Sequence, residues 1–493
     1  MTFRECQKAE GKMKRTILAI LCTIICVLGL GMTTASAESY YGNFEYTISN
    51  GEVTITLYDN SETEVIIPHE IEGHPVTSIG EYAFLNCYSP ETIIIPDSVT
   101  TIEESAFTHC YRLTSIVIPD SVTIIGDFAF VSCRSLTSVV IPDSVKTIGE
   151  YAFSHCNNLT SVTIPKNVEY IGASVFYNCR SLTEIIVDEN NISYCSENGI
   201  LFSKDKTVLK AYPAGKSEET YIIQDGVTSI EVGAFGGCDN LKSITIPDGV
   251  TTIGDCAFAL GTSLTAINVA VNNADYCSEN GILFTKDKTV LIAYPPAKSQ
   301  ETYIIPNTVK TIGKGSFDNC GNLTSITIPD GASAIGDSAF SDCSSLTNVT
   351  IPNSVTTIEV RAFGECTNLT DVYYNGTKSD WDCIKIFYSG NECLEKATIH
   401  YSDGTTSKDA STSTTIEGNT YIVTPNNVDS GYVIIFACYK GKSLVYKDIY
   451  TYENENEIIF TPNGEHDKVK IMVWESVTNL KPVCEAEEIL LTT

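Results

Sequence analysis

A beat of 23 residues constrains this chain more than any other feature. Pro96, Pro119, Pro142 and Pro165 each close an apolar run at that spacing, and the beat returns at Pro306, Pro329 and Pro352. Phe84, Phe107, Phe130, Phe153 and Phe176 keep the same interval, with Cys87, Cys110, Cys133, Cys156 and Cys179 three residues behind them. A supersecondary piece of this length cannot bury its own apolar face, so self-similarity at this period means stacked turns that share one continuous core.

One turn reads Ala152-Phe153-Ser-His-Cys156-Asn-Asn-Leu159-Thr-Ser-Val162-Thr-Ile164-Pro165. Val162 and Ile164 alternate with Ser161 and Thr163, which predicts a short strand with one inward and one outward face. Proline then removes a ladder donor and ends the pairing. The Ala-Phe-x-x-Cys piece has helical spacing, which predicts a helical wall opposite the strand and makes the expected fold an α/β repeat. Twelve inward strand positions are legible: Ile93, Ile116, Val139, Val162, Ile185, Tyr221, Ile244, Ile267, Tyr303, Ile326, Val349 and Val372.

Two turns are stretched. Asp188 and Ala270 hold the proline register, but the next register positions, Gln224 and Pro306, follow after 36 residues. The surplus lies in near-duplicate segments, 194–223 and 276–305, which agree at 25 of 30 positions. Each carries Gly-Ile-Leu-Phe, a Lys-Asp-Lys turn and Thr-Val-Leu, predicting β-hairpin insertions near 194–221 and 276–303.

The ends differ in kind. Lys12, Lys14 and Arg15 precede an apolar run from Ile17 to Leu30 and an Ala35-Ser36-Ala37 end, the pattern of a secretory signal peptide over 1–37. Met13 stands where such a signal would normally start. Its removal takes away five basic and two acidic residues, leaving 26 Lys+Arg against 59 Asp+Glu, a net charge of -33. Such a surface repels phosphate and anionic lipid, which argues against nucleic acid as a partner. No second apolar run follows, so no transmembrane anchor is expected in the mature chain. Residues 38–80 read as an N-terminal cap, 81–401 as the solenoid, and the Ser/Thr/Asp/Gly-rich stretch 402–415 as a linker. Short alternating runs from Tyr421 to Ala486 predict a small all-β sandwich over 416–493.

The repeating Ile-Pro-x-x-Val-x-x-Ile-Gly-x-x-Ala-Phe-x-x-Cys-x-x-Leu unit resembles the BspA-type class of bacterial leucine-rich repeats. The flanks agree: Phe44-Glu-Tyr46 through Ile71-Glu-Gly-His-Pro-Val76 resembles that class's N-terminal segment, and Asp371-Val-Tyr-Tyr-Asn-Gly376 with Trp381 resembles its closing turn. The likeness covers about residues 40–401 and implies an extracellular, ligand-binding or adhesive protein.

For chemistry the sequence offers little. Cys87, Cys110, Cys133, Cys156, Cys179, Cys238, Cys320, Cys343 and Cys366 form a structural ladder of inward thiols on successive turns. Parallel thiols do not converge on a metal or face one another for a disulfide, so they read as small packing residues. Gly261 fills the same position in another turn. Disulfides after export remain open for Cys383 with Cys393 and for Cys438 with Cys484. His109 and His155 stand where other turns carry Ser132 and Asn178, which marks a tolerant surface position. No catalytic, metal or phosphate-loop motif is present, and no enzyme activity or cofactor is expected. The outward strand positions are small and nearly uncharged. Candidate ligand contacts are therefore the hairpin tips Lys204-Asp205-Lys206 and Lys286-Asp287-Lys288, basic islands on an acidic body, and the aromatic group Tyr373, Tyr374 and Trp381. Each competes with a plainer reading, as solubilised turns and as a seal on the core. The sequence points to a secreted or cell-surface repeat protein that adheres to an extracellular protein or glycan. A structural spacer whose C-terminal domain does the binding is the alternative.

Overall fold

A computed structural model describes residues 39–402, 404 and 406–407 in full, and the backbone alone of seven strands between 411 and 490. The chain divides into two compact units, with the boundary between Asp275 and Tyr276. The signal-peptide segment lies outside the described residues, as do the side chains of Cys438 and Cys484.

In the first unit the expected strands stack in parallel and in register. Thr92–Ile94 pairs with Ser115–Val117 and that strand with Ser138–Val140, and Ser161–Ile164 pairs with Glu184–Val187. Thr220–Ile222, Ser243–Ile246 and Ala266–Val269 form a further parallel sheet. The second unit repeats the arrangement from Thr302–Ile304 through Ser325–Thr327, Asn348–Ile351 and Asp371–Tyr374 to Thr398–His400. Glu64–Ile66 and Thr398–His400 add a strand at either end to the twelve expected, and with the N-terminal cap the solenoid runs to about 15 turns.

Each turn also carries a second, two-residue strand that the sequence did not announce. Thr101–Ile102, Ile124–Ile125, Thr147–Ile148 and Tyr170–Ile171 form a second parallel ladder. The Ile-Gly pairs belong to this corner, where successive turns come very close. A Cβ on Gly149 would stand 2.4 Å from the backbone nitrogen of Asp127, and one on Gly172 2.3 Å from that of Glu150. Glycine here is a contact requirement, not a flexible joint.

The helical wall is not there. Among the described residues the helices are Lys378–Trp381 and Glu392–Lys396, both near the closing turn, and the rest of the regular structure is strand. The α/β expectation is corrected to a nearly all-strand solenoid. The cause is backbone conformation. Residues two before and two after the ladder phenylalanine adopt positive φ, as in Ser105 (54°) and His109 (62°) around Phe107, or Tyr151 (53°) and His155 (60°) around Phe153. A helix cannot propagate through left-handed residues. The freed amides bond across turns instead: Phe84 N–H donates to Ala106, Phe107 to Ala129 and Phe130 to Ala152, each at 2.8 Å. Thus this third side is also a ladder of inter-turn hydrogen bonds, which satisfies its buried backbone.

Inside, the phenylalanines make a continuous stack. Ring centroids are 5.0 Å apart for Phe84 and Phe107, and 5.2 Å apart for Phe107 with Phe130 and for Phe130 with Phe153. Phe317, Phe340 and Phe363 do the same in the second unit, at 4.9 and 5.1 Å. A fully buried phenylalanine contributes roughly 2–3 kcal/mol by area, and each ring contact adds on the order of 1 kcal/mol. The interior is therefore held by nearest neighbours, turn on turn.

Beyond the closing turn, Thr406–Ser407 pairs back onto Thr398–His400. Two antiparallel sheets follow. One holds Ser411–Glu417, Thr420–Asn426 and Ile458–Phe460, and the other Ser443–Thr451, Val433–Lys440, Lys468–Trp474 and Glu487–Leu490.

Candidate binding surfaces

The ladder cysteines are buried thiols outside any disulfide, and they do more than fill space. Each thiol reaches back to the carbonyl of the aromatic residue in the preceding turn: Cys110 to Phe84, Cys133 to Phe107 and Cys156 to Phe130, all at 3.3 Å. Cys343 and Cys366 repeat the contact with Phe317 and Phe340 at 3.1 and 3.0 Å, and Cys87, Cys179, Cys238 and Cys320 make it as well. Burial pushes the Cys179 thiol up to about 12, so this thiol is protonated and unreactive at neutral pH. Near the closing turn Cys393 continues the pattern, donating to the Phe363 carbonyl at 2.9 Å. Neither it nor the exposed Cys383 is in a disulfide.

The two stretched turns each hold three antiparallel strands, Tyr194–Glu197, Ile200–Ser203 and Val208–Ala211 in the first copy and Tyr276–Glu279, Ile282–Thr285 and Val290–Ala293 in the second. Asn198 (50°) and Gly199 (77°) make the first turn, with positive φ at both central positions as a tight hairpin demands. The last strand rejoins the solenoid by pairing in parallel, Val208–Ala211 with Ser229–Ile230 and Val290–Ala293 with Thr311–Ile312.

At the tips the charges are spoken for. Asp205 accepts from Ser203 Oγ (2.7 Å) and from both the amide and hydroxyl of Thr207, contacts that hold its carboxyl below the usual range. Asp287 is held the same way by Thr289 and Thr285. Lys206 pairs with Glu197 at 2.7 Å and Lys288 with Glu279 at 2.6 Å, while Lys204 Nζ donates to the Glu189 carbonyl. Lys286 stands at the position equivalent to Lys204. The tips are knitted turns whose positive charge is largely answered by the neighbouring strand.

The aromatic group separates. Tyr374 is buried and meets Trp381 edge-on at 5.2 Å, so both pack into the end of the core. Tyr373 stays on the surface and stacks on His400 at 4.7 Å. His400 in turn shares a 2.6 Å hydrogen bond with Asp371, which lowers that carboxyl.

Sequence reasoning missed two kinds of residue. Asn191 is fully buried and staples the start of the first stretched turn: its Nδ2 donates to the carbonyls of Pro165 (2.8 Å) and Val168 (3.0 Å), and its Oδ1 accepts from the amides of Ser193 and Tyr194. Asn273 repeats the contacts to Pro247 and Val250. The only signal was a shared asparagine just ahead of each duplicate. The second is a row of bare aliphatic side chains. Ile66, Ile94, Val117 and Val140 are directly opposite one another on four adjacent strands and are 69, 54, 68 and 73% exposed. Read one turn at a time, each looks like an ordinary outward residue. Register makes them a strip.

Among the described residues no group of three or more His, Cys, Asp or Glu side chains could hold a metal ion, and no helix is long and apolar enough to cross a membrane.

Stacked parallel strands, an inward Leu/Ile/Val/Phe/Cys core and a 23-residue turn define a leucine-rich-repeat solenoid. The chain belongs to the BspA type leucine-rich repeat family, whose profile matches residues 77–202, 211–283 and 294–417 in six copies. Among curated proteins no relative matches. Among solved structures, it is similar to a leucine-rich cell surface protein of Faecalibacterium prausnitzii, at 27% identity over 72% of this chain and 99% of that one, with a TM-score of 0.40. The pneumococcal vaccine antigen PcpA is 21% identical over 75% of this chain and 98% of its own, with a TM-score of 0.45. A leucine-rich repeat protein of Eubacterium ventriosum is 24% identical over 68% and 90%, with a TM-score of 0.39.

Proposed function

We propose that this is an exported, non-catalytic surface protein that uses its solenoid to adhere to an extracellular partner on host or neighbouring cells. The observation that carries this reading is the aliphatic strip Ile66, Ile94, Val117 and Val140, set in a strongly acidic chain. A contiguous exposed apolar row rimmed by Thr92, Ser115 and Ser138 costs solubility, and such patches mark interaction surfaces. It favours a protein partner over a glycan for this face. The signal-peptide pattern over 1–37 supports export, with the cap at 38–80, the repeats at 81–401 and a small β domain over 416–493, the linker expected at 402–415 being shortened by the strands Thr406–Ser407 and Ser411–Glu417. The hairpin tips and Tyr373 are secondary contacts at most, given how many of their polar groups are already bonded.

The test is an array of matrix proteins, mucins and glycans probed with residues 38–493 and with the double variant Val117→Ser, Val140→Ser. Adhesion that falls in the double variant, while the folded signal in circular dichroism is kept, supports the reading. Adhesion that is indifferent to the strip but survives in residues 416–493 alone overturns it in favour of the spacer alternative. Terminal sequencing of the secreted protein checks cleavage after Ala37.

A further inference from the structure

One position of the repeat tolerates the smallest side chains, and in the first unit it carries large ones. The residue after the ladder cysteine closes its turn with the same backbone bond in both units. The amide of Tyr111 donates to the His109 carbonyl at 2.9 Å, and those of Arg134, Gly321, Ser344 and Thr367 donate to Ser132, Asn319, Asp342 and Glu365 at 2.8 Å. The residue before the cysteine holds the same left-handed φ, 62° at His109, 59° at Ser132 and Asn319, and 58° at Asp342. Glycine, serine and threonine therefore build this turn as well as tyrosine or arginine does. The second unit keeps those small residues, with Asp342 and Glu365 beside them. The first unit instead sets Tyr88, Tyr111 and Arg134 on three successive turns.

The three form a column. Tyr88 and Tyr111 stack at 5.2 Å with their planes 10° apart, and the Arg134 guanidinium lies 5.0 Å from the centre of the Tyr111 ring. Asn86 Oδ1 accepts the Tyr88 hydroxyl at 3.0 Å and shares a 2.9 Å hydrogen bond with His109 Nδ1, while the His109 ring packs beside Tyr111 at 5.4 Å. The column is open to solvent, with Tyr88 46% exposed and Arg134 exposed. Among the described residues neither the Tyr111 hydroxyl nor the Arg134 guanidinium has a hydrogen-bond partner. The other arginines nearby are answered, Arg112 by Glu91 and Arg180 by Asp239 at 3.1 Å. Burial, then Arg134, lowers His109, and burial, then Arg134 and Arg180, lower His155. In a chain of net charge -30 this is a local patch of positive potential.

A guanidinium laid flat on a ring keeps its N–H edge for a planar anion and can hold a carboxylate through two parallel hydrogen bonds. The tyrosines beside it offer apolar ring surface and a hydroxyl, which suits a sugar. A peptide would look for backbone partners, but the amides of this turn are already bonded within it or to the next turn. A polyanion would be repelled by the acidic body around the column. Two turn spacings, about 10 Å, give room for two sugar rings. We propose that this column binds a glycan end carrying a single carboxylate, a sialate or a uronate, with the acid on Arg134, a sugar hydroxyl on the Tyr111 hydroxyl and the adjoining neutral ring against Tyr88. The site lies on the turn before the strand, not on the strand face that carries the aliphatic strip, and does not rest on it.

The test is titration calorimetry and saturation-transfer difference NMR on residues 38–493. The probes are sialyllactose and a glucuronyl-galactose disaccharide as the two sources of the acid, lactose as the neutral control, and heparin and oligoglutamate as the polyanion and peptide controls. At least one acidic sugar is expected to bind saturably, roughly tenfold more tightly than lactose, and Arg134→Gln to abolish that preference. Arg134 is exposed, so the change leaves the core intact, and Arg134→Lys, which keeps the charge without the fork, should recover part of the preference. Tyr111→Ser, which installs the side chain found at Ser344, weakens acidic and neutral sugar alike. Arg112→Gln, whose charge is already paired with Glu91, leaves binding within about twofold. No binding by either acidic sugar, lactose bound as tightly, an acidic preference that survives Arg134→Gln, or tighter binding of heparin or oligoglutamate would overturn the proposal.

Discussion

One substitution, glycine to alanine, should have opposite signs at two places in the first unit, and the difference tests whether inter-turn contact governs this fold. Gly261 fills a ladder-cysteine position. A Cβ there would meet the Cys238 carbonyl and Leu264 Cβ at 3.6 Å and the Phe258 carbonyl at 3.9 Å, ordinary contact distances, and its φ lies outside the left-handed region. Gly261→Ala should remove unfolded-state freedom, about 0.4–1 kcal/mol, and bury one methyl, about 0.8 kcal/mol, for a gain of about 1–2 kcal/mol. Gly261→Cys adds a thiol that can reach the Phe235 carbonyl, which already accepts from the Cys238 amide, so the extra gain is a few tenths of a kcal/mol. At Gly149 the new Cβ would stand 2.4 Å from the Asp127 nitrogen and 2.5 Å from the Gly126 carbonyl carbon. Backbone must move there, dragging the bonds from Gly149 to Ile125 and from Glu150 to Asp127, so Gly149→Ala should cost roughly 2–4 kcal/mol. Urea unfolding followed by circular dichroism gives the totals. Hydrogen exchange locates them, with protection rising over 235–264 in one variant and falling over 125–150 in the other. Two changes of the same sign, or changes spread evenly along the chain, would refute the contact argument.

Three further outcomes follow from single groups. Tyr212→Phe should stabilise by about 1 kcal/mol, by removing an unpartnered hydroxyl, whereas Tyr294→Phe should destabilise by a similar amount because it breaks the bond to Gln300; paired thermal melts read both. Asn191→Ala strips four hydrogen bonds from a fully buried staple and should cost about 3–5 kcal/mol, while the exposed neighbour substitution Asn190→Ala should stay within about 0.5 kcal/mol in the same denaturation assay. Burial, with Arg134 and Arg180 nearby, lowers His155 from its ordinary 6.5 to about 4. The folded state therefore takes the proton less readily than the unfolded chain, so this contribution is complete above about pH 6.5 and drains away as pH falls toward 4. Melting temperatures at pH 7 and 4.5 should converge partly in His155→Asn, which carries the residue found at the equivalent positions 86 and 178; an unchanged pH slope would contradict the assignment.

The solenoid was legible because its core repeats are one-dimensional. Phe, Cys, Leu and the alternating strand pair recur at fixed offsets, and stacking turns that pattern directly into contacts. The helical wall was misread because Ala-Phe-x-x-Cys spacing is compatible both with one helical turn and with a bent segment whose amides bond to the next turn. The deciding feature is φ at residues such as His109 and Ser132, which hydrophobic spacing does not encode. Asn191 and the aliphatic strip escaped for a related reason: each becomes meaningful only through a residue on another turn. The hairpin lysines stood out as charge against an acidic background, yet whether that charge is free depends on Glu197 and Glu279, whose placement follows from the hairpin register.

That same dependence says where a concave site can arise in a fold of this kind. In an uninterrupted turn the inward side chains, the strand amides and even the ladder thiol are committed to the turn before or after. Threonines just ahead of the strands are committed too, since Thr114, Thr137 and Thr183 donate their hydroxyls to Glu91, Thr114 and Thr160. A break in the stacking favours a concave, polar place, because groups there lose the neighbour they would bond to in the next turn, although single hydroxyls such as Ser144 Oγ are buried and unpartnered in an uninterrupted turn as well. The 36-residue turns are such breaks, and duplication supplied two of them. The second gives the Tyr294 hydroxyl a partner in Gln300 and carries Pro306 in place of Gln224, while the neighbouring Ser316 hydroxyl is buried and unpartnered. The first keeps Glu218 and Gln224 and leaves Tyr212 unanswered, at a standing cost in stability. Within one chain, then, the second copy is the control for the first, and exchanging residues 218 and 224 for Gln and Pro should give the Tyr212 hydroxyl the partner that Tyr294 has and raise stability. A variant that gains no stability in urea unfolding would sink the argument.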